Sequence, residues 1–132
     1  MRRGVDFDGT LAEYHGFVGP DVLGDPIPEM VERVRRWLAQ DDDVVIVTAR
    51  AHPSHGDETQ IAVDAIREWC VNVFGRELEV TCMKDPEMEQ IWDDRAVRVD
   101  DNTGHISDQS DIVQDDFELM NGDTDGIGEF LT

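Results

Sequence analysis

The sequence predicts an α/β domain built on a mainly parallel sheet, and three observations lead there. Short apolar runs alternate along the chain with longer segments whose apolar residues recur at helical spacing. One of the runs, Val44-Val45-Ile46-Val47, is β-branched throughout and lacks polar alternation, as suits a strand covered on both faces. Polar residues also fall just after these runs: Asp6, Asp8, Thr48, Asp93 and Asp94, with Lys84 shortly after another. In open parallel sheets the ligand crevice lies beyond the C-terminal ends of the strands, so this placement gathers chemistry at one edge.

The elements follow in order. Residues 2–7 form a first strand that ends in Val5-Asp6-Phe7-Asp8-Gly9-Thr10-Leu11. Residues 9–25 carry Gly9, Gly16, Gly19, Pro20 and Gly24 and read as turns, with a small flap around His15, Phe17 and Val18. Pro28 suits the first turn of a helix whose buried stripe is Met30, Val31, Val34, Trp37 and Leu38. Asp41-Asp42-Asp43 closes it, and the strand Val44–Val47 ends in Thr48-Ala49-Arg50. A loop with Pro53 and Gly56 leads to a helix over Asp57–Phe74, with Ala62, Ala65, Ile66, Trp69, Cys70 and Val73 inward and Gly75 as its stop. Leu78–Cys82 reads as a third strand, Lys84-Asp85-Pro86 as a connector and Ile91-Trp92 as a brief strand before Asp93-Asp94. Ala96–Val99 reads as a further strand closed by Asp100–Gly104. The sum is a Rossmann-like three-layer sandwich over residues 1–105, followed by an acidic tail over 106–132. The tail has acids but no Lys or Arg and reads as solvated and partly disordered. Its Asn121–Ile127 stretch mimics half of a calcium loop, but Thr132 stands where the loop's glutamate is required.

Composition bounds the function. The 132 residues carry 31 acids against 11 basic residues, a net charge of −20, which argues against a basic surface for nucleic acid or anionic lipid. Ten of the basic residues are arginine and one, Lys84, is lysine. That balance has two readings, adaptation to high salt or a GC-rich genome. Cys70 and Cys82 do not form a disulfide framework or a zinc spacing, no apolar run is long enough for a membrane helix, and Met1-Arg2-Arg3 meets Asp6 and Asp8 rather than a signal-peptide core. A cytoplasmic, reduced protein is expected.

Asp6 and Asp8 lie two apart at a strand end, where side chains share a face. Acids crowded this way call for a divalent cation, and oxygen ligands suit Mg²⁺. An EF-hand is excluded because Gly9 stands fourth from Asp6 rather than sixth, and the twelfth position is Phe17. Asp6-Phe7-Asp8-Gly9-Thr10-Leu11, Val45–Arg50 with Thr48, Lys84 after the next strand, and Ile91-Trp92-Asp93-Asp94-Arg95 stand in the order of the four motifs of the haloacid dehalogenase-like (HAD) phosphohydrolases. The chain resembles that superfamily, in particular its small capless members from phages and prokaryotes. No segment is long enough for a cap domain.

The resemblance implies a Mg²⁺-dependent phosphohydrolase. Asp6 would attack phosphorus and form an aspartyl-phosphate, and Asp8 would serve as acid and base. Thr48 would donate to the phosphoryl group, and Lys84 would offset the gathered negative charge. The metal would be held by Asp6, the Asp8 main-chain carbonyl and Asp93 or Asp94, with the direct ligand of the pair left open. The substrate would be a phosphorylated small molecule or a phosphorylated nucleic-acid end; no membrane partner and no stable nucleic-acid binding at low salt are expected. The alternatives are a non-catalytic interaction protein on the same fold and a phosphotransferase. Arg50 and Arg95 are open to two readings, substrate contact or pairing with nearby acids. His52 and His55 have a spacing that metal ligands and ordinary loops share, and His15 is a flap residue that could touch substrate.

Overall fold

The computed structural model describes residues 1–107. They divide into two compact units, the first Met1–Asp94 and the second beginning at Arg95. The expected acidic tail, with its calcium-loop mimic, lies outside the described residues apart from its first two positions.

The first unit is an α/β fold on a four-stranded, all-parallel sheet, consistent with a Rossmann-like sandwich without a cap. In chain order the elements are β1 (Arg2–Val5), α1 (Pro28–Ala39), β2 (Asp43–Val47), α2 (Asp57–Phe74), β3 (Glu79–Thr81) and β4 (Met88–Trp92), with two short 3-10 turns at Ala49–Ala51 and Pro53–His55. The strand order is β3-β2-β1-β4, so the strand that carries Asp6 is central.

Sequence dictates the helices through their apolar stripes. Pro28 opens α1, where its missing N–H costs nothing, and Met30, Val31, Val34 and Trp37 are buried. In α2 the buried set is Ala62, Val63, Ile66 and Cys70, and Gly75 ends the helix with a φ of 79° and an N–H donated to the Val71 carbonyl at 2.9 Å. Both helices pack into one core with Val5, Phe7, Leu11, Val44, Ile46 and Leu78. Arg35 of α1 donates to the Val73 carbonyl of α2 at 3.0 Å, so the two helices lie side by side. Of the helical layers expected on the sheet, the described residues supply this one. Phe7 meets Trp69 edge-on at 4.9 Å, and Trp37 meets Trp92 at 5.0 Å, tying both helices to the ends of β1 and β4. No helix among the described residues is long and apolar enough to cross a membrane.

Arg2, at the start of β1, joins three acids: Asp43 of β2, Glu79 of β3 and Asp85 before β4. It thereby fixes the short helix-free crossover between β3 and β4. Register between β1 and β4 shifts by one residue, from Arg2 opposite Met88 to Arg3 opposite Gln90, and then runs on to Val5 opposite Trp92.

Two strands differ from expectation. β4 begins at Met88, earlier than the apolar pair Ile91-Trp92 suggests, because an edge strand exposed along Glu89, Gln90 and Ile91 needs no apolar run. The strand expected at Ala96–Val99 is not formed. In the second unit Val99 makes a single antiparallel bridge to Ile106, across a turn in which Asn102 takes a φ of 61° and Asp100 N–H reaches the His105 carbonyl at 2.7 Å. The tight reversal at Asp100 pairs this segment with its own downstream residues, and Val97 and Val99 stay exposed.

Candidate active site

The site begins where β1 ends. Asp6 N–H still donates to the Trp92 carbonyl at 2.8 Å, so Asp6 remains in the sheet ladder although β1 itself stops at Val5. The chain then closes a tight turn in which the Phe7 carbonyl accepts from the N–H groups of Thr10, Leu11 and Ala12. That turn swings Thr10 back beneath Asp6. The Thr10 hydroxyl lies 3.3 Å from Asp6 Oδ2 and 2.9 Å from Asp94 Oδ1, and it accepts the Asp94 N–H at 2.9 Å. Gly9 makes the arrangement possible. Its φ is 83°, and a Cβ there would stand 2.6 Å from Asp94 Oδ2.

Asp6, Asp93 and Asp94 converge: each offers a carboxylate oxygen, and these oxygens lie within 4.8 Å of one another. Burial and crowding together push the Asp6 carboxyl up to about 7. The largest cause is burial, followed by the neighbouring Asp94 carboxyl and the charges of Asp93 and Asp94, against a small opposing effect of the Phe7 backbone N–H. Three hard oxygen donors gathered this closely are a donor set that could hold a small divalent cation such as Mg²⁺.

The Asp8 side chain is not part of this cluster. Arg50 grips it with two parallel bonds, Nε to Oδ2 at 2.7 Å and Nη2 to Oδ1 at 3.1 Å. The role expected of Asp8 toward a metal runs through its main-chain carbonyl and is independent of this grip. Thr48 is 3% exposed, and its N–H continues the β2–β3 ladder to the Thr81 carbonyl at 2.8 Å. Its hydroxyl accepts the Arg50 N–H at 3.2 Å, capping the 3-10 turn, and keeps its own proton to donate. Asp6 and Thr48 thus stand just past the C-terminal ends of the adjacent strands β1 and β2.

The structure does not bring Lys84 to the carboxylates. Lys84 is exposed and in no ion pair among the described residues, and its neighbour Asp85 is held by Arg2 at the opposite end of β1 from Asp6. Of the neighbouring acids it is Asp8 that gains an arginine, Arg50, whose side chain is 6% exposed. His52 and His55 are used locally: His52 Nδ1 pairs with Ser54, and His55 Nε2 meets the Ala49 carbonyl at 3.1 Å. His15 is exposed on the flap, and Arg95 opens the second unit.

Sequence reasoning left Arg50 between two readings and gave Thr10 no role. Thr10 follows Asp6 by four residues across a glycine turn, a spacing that can return a hydroxyl to the carboxylate, though a threonine there is equally a plain turn residue. The flap is anchored by a short ladder: Glu13 N–H to the Asp25 carbonyl at 2.8 Å and Ile27 N–H to the Leu11 carbonyl at 2.9 Å. Gly24 sits so close to this ladder that a Cβ would fall 1.8 Å from the Glu13 carbonyl oxygen.

No family model matches the chain, and no curated protein matches it. Among solved structures, a conserved protein from Bacteroides thetaiotaomicron aligns with 92% of this chain over 90% of its own length, at 23% identity and a TM-score of 0.50. What the chain shares with that protein is its fold.

Proposed function

We propose that the protein is a Mg²⁺-dependent phosphohydrolase that cleaves a phosphomonoester through an aspartyl-phosphate, as its resemblance to the HAD superfamily implies. The observation that carries the reading is the convergence of Asp6, Asp93 and Asp94 at the C-terminal ends of two adjacent parallel strands, with Asp8 two residues from Asp6. Asp6, Asp93, Asp94 and the Asp8 main-chain carbonyl would hold Mg²⁺, which when bound supplies positive charge to the phosphoryl oxygens and relieves the repulsion among the acids.

In this reading Asp6 attacks phosphorus; the new O–P bond forms as the bond to the leaving oxygen breaks. Asp8 gives that oxygen a proton. Asp8 then takes a proton from the water that attacks the phosphorus of the acyl phosphate, and Asp6 is released as a carboxylate. Thr48 orients the phosphoryl group through its hydroxyl proton. The flap of residues 14–24 covers too little to serve as a cap, which suits a substrate with an extended leaving group.

The test is hydrolysis of a panel of phosphorylated metabolites and 3′-phosphorylated oligonucleotides, with Mg²⁺ or with EDTA, at low and at molar salt. Release of phosphate that needs Mg²⁺ and disappears in Asp6→Asn is expected. Absence of release from every substrate, or full activity in Asp6→Asn, overturns the reading.

A further inference from the structure

We propose that Arg50 is a positioning residue that couples the orientation of Asp8 to the position of the flap over residues 14–24. The catalytic part of this inference rests on the reading of Asp8 as the acid and base.

The guanidinium has five N–H donors in a rigid plane, and the structure gives all five an acceptor. Two go to the Asp8 carboxylate. The other three go to flap carbonyls: Nη1 to Gly19 at 2.9 Å and Pro20 at 3.2 Å, and Nη2 to Val22 at 3.2 Å. The Phe17 ring, also on the flap, lies 5.2 Å from the guanidinium carbon. The Arg50 side chain is nearly buried, so these partly buried bonds are stronger than they would be in open solvent and a lost partner is costly to the guanidinium.

Geometry makes the coupling obligatory. The Asp8 carboxylate is held in one plane by a bidentate contact, and that contact shares its rigid fork with the flap carbonyls. A displacement of the 19–22 segment strips three acceptors from a buried cation and shifts the fork. The carboxylate must then rotate with it or lose one of its two bonds. The Arg50 backbone does not absorb the motion, because the Thr48 hydroxyl caps the 3-10 turn that carries it. A leaving group that lifts Phe17 and its neighbours on arrival therefore also resets Asp8. The flap senses the substrate, and Arg50 conveys its position to the group that moves the proton.

Two arms test this. The first needs no activity: amide hydrogen exchange is followed in wild type, Asp8→Ala and Arg50→Met. Asp8→Ala alters no flap residue, yet amides in 14–24 should exchange about tenfold faster in it, as expected on loss of a charge-assisted anchor, with α1 and α2 unchanged. If Asp8→Ala does not fold, Asp8→Asn gives the same comparison with one acceptor kept. Flap exchange equal to wild type in the folded Asp8 variant overturns the coupling.

The second arm compares Arg50→Lys on an aryl phosphate, whose leaving group needs no proton, and on an alkyl phosphate, whose leaving group does. The turnover loss should be at least about tenfold larger on the alkyl ester, because only that substrate depends on a well-placed acid. Equal losses on both would make Arg50 a structural residue and overturn the positioning role. If the wild type hydrolyses neither ester, the phosphohydrolase reading fails, and the exchange arm still decides whether Asp8 and the flap are coupled.

Discussion

Replacing Asp6 with asparagine should make the protein more stable and inactive at once, and the size of the effect follows from the site. The Asp6 carboxyl is pushed up from 3.8 to about 7, chiefly by burial and then by its acidic neighbours. Its folded pKa exceeds its unfolded one, so the folded state holds the proton more tightly between those values. Stability that is fully present below about pH 4 is lost as pH rises toward 7, and above 7 the ionised site carries the whole cost. A difference of about 3 in pKa corresponds to about 4 kcal/mol at 1.36 each, and partial solvent exposure of the acids reduces this to roughly 2 kcal/mol. Asparagine removes the charge and keeps the shape. In EDTA at pH 8, Asp6→Asn should melt roughly 10 °C above wild type, and below about pH 4 the two should converge. Mg²⁺ at one hundred times Kd should then stabilise the wild type by about 2.7 kcal/mol, which offsets the roughly 2 kcal/mol advantage of Asp6→Asn. The assay is denaturation followed by circular dichroism at both pH values, with and without Mg²⁺, beside turnover. Wild type more stable than Asp6→Asn in EDTA at pH 8 would refute the reasoning, because it would mean that the three carboxylates are not crowded in solution.

Other expectations are as direct. Thr10→Val removes the hydroxyl that serves both Asp94 and Asp6; it should cost about 1–3 kcal/mol in thermal melts and weaken Mg²⁺ binding roughly 10–100-fold by titration. Gly24→Ala drives a methyl into the Glu13 carbonyl and should cost about 3 kcal/mol, with the flap displaced; a melting temperature equal to wild type would show that the 11–13 and 25–27 ladder is not closed as described. Lys84→Met should leave turnover within about twofold, the behaviour of an exposed residue that has no ion pair among the described residues. A collapse of turnover with folding intact would show instead that the 82–87 connection moves when substrate binds.

The helices and central strands were legible because burial stamps a period on the sequence. The stripe of α1 and the span Asp57–Phe74 of α2 follow from apolar spacing, and Val44–Val47 from an unbroken β-branched run. β4 was only partly legible, since an exposed edge strand needs little hydrophobic signal at Met88–Gln90. Ala96–Val99 carried a strand's composition, but composition does not say which neighbour a segment will pair with, and the turn at Asp100 decided that locally. The meeting of Asp6 with Asp93 and Asp94 was anticipated from their positions after apolar runs. The partner of Asp8 was not. An arginine that follows a strand by three residues has many acids within reach in so acidic a chain, and only the path of the flap selects Asp8. Lys84 shows the converse, for its place in the sequence order does not fix where a helix-free crossover passes beneath the sheet.

The shifted register at the start of β4 leaves slack at one end of the strand and none at the other. Between Met88 and Gln90 the strand takes in one residue, Glu89, that β1 does not match, and from Gln90 onward the ladder is regular, setting Trp92 opposite Val5 and Asp93 next in line beside Asp6. Loss of one residue at the bulge would therefore restore an unbroken ladder and leave Asp93 and Asp94 in step with Asp6. A residue inserted between Gln90 and Trp92 would instead slide the acid pair past Asp6. An insertion before Asp85, in contrast, would be taken up by the crossover without moving them, because the Arg2 anchor resets the count. Length variation is thus tolerable before Asp85 and at the bulge and ruinous between Gln90 and Asp93, a constraint that no single side chain at the site would reveal.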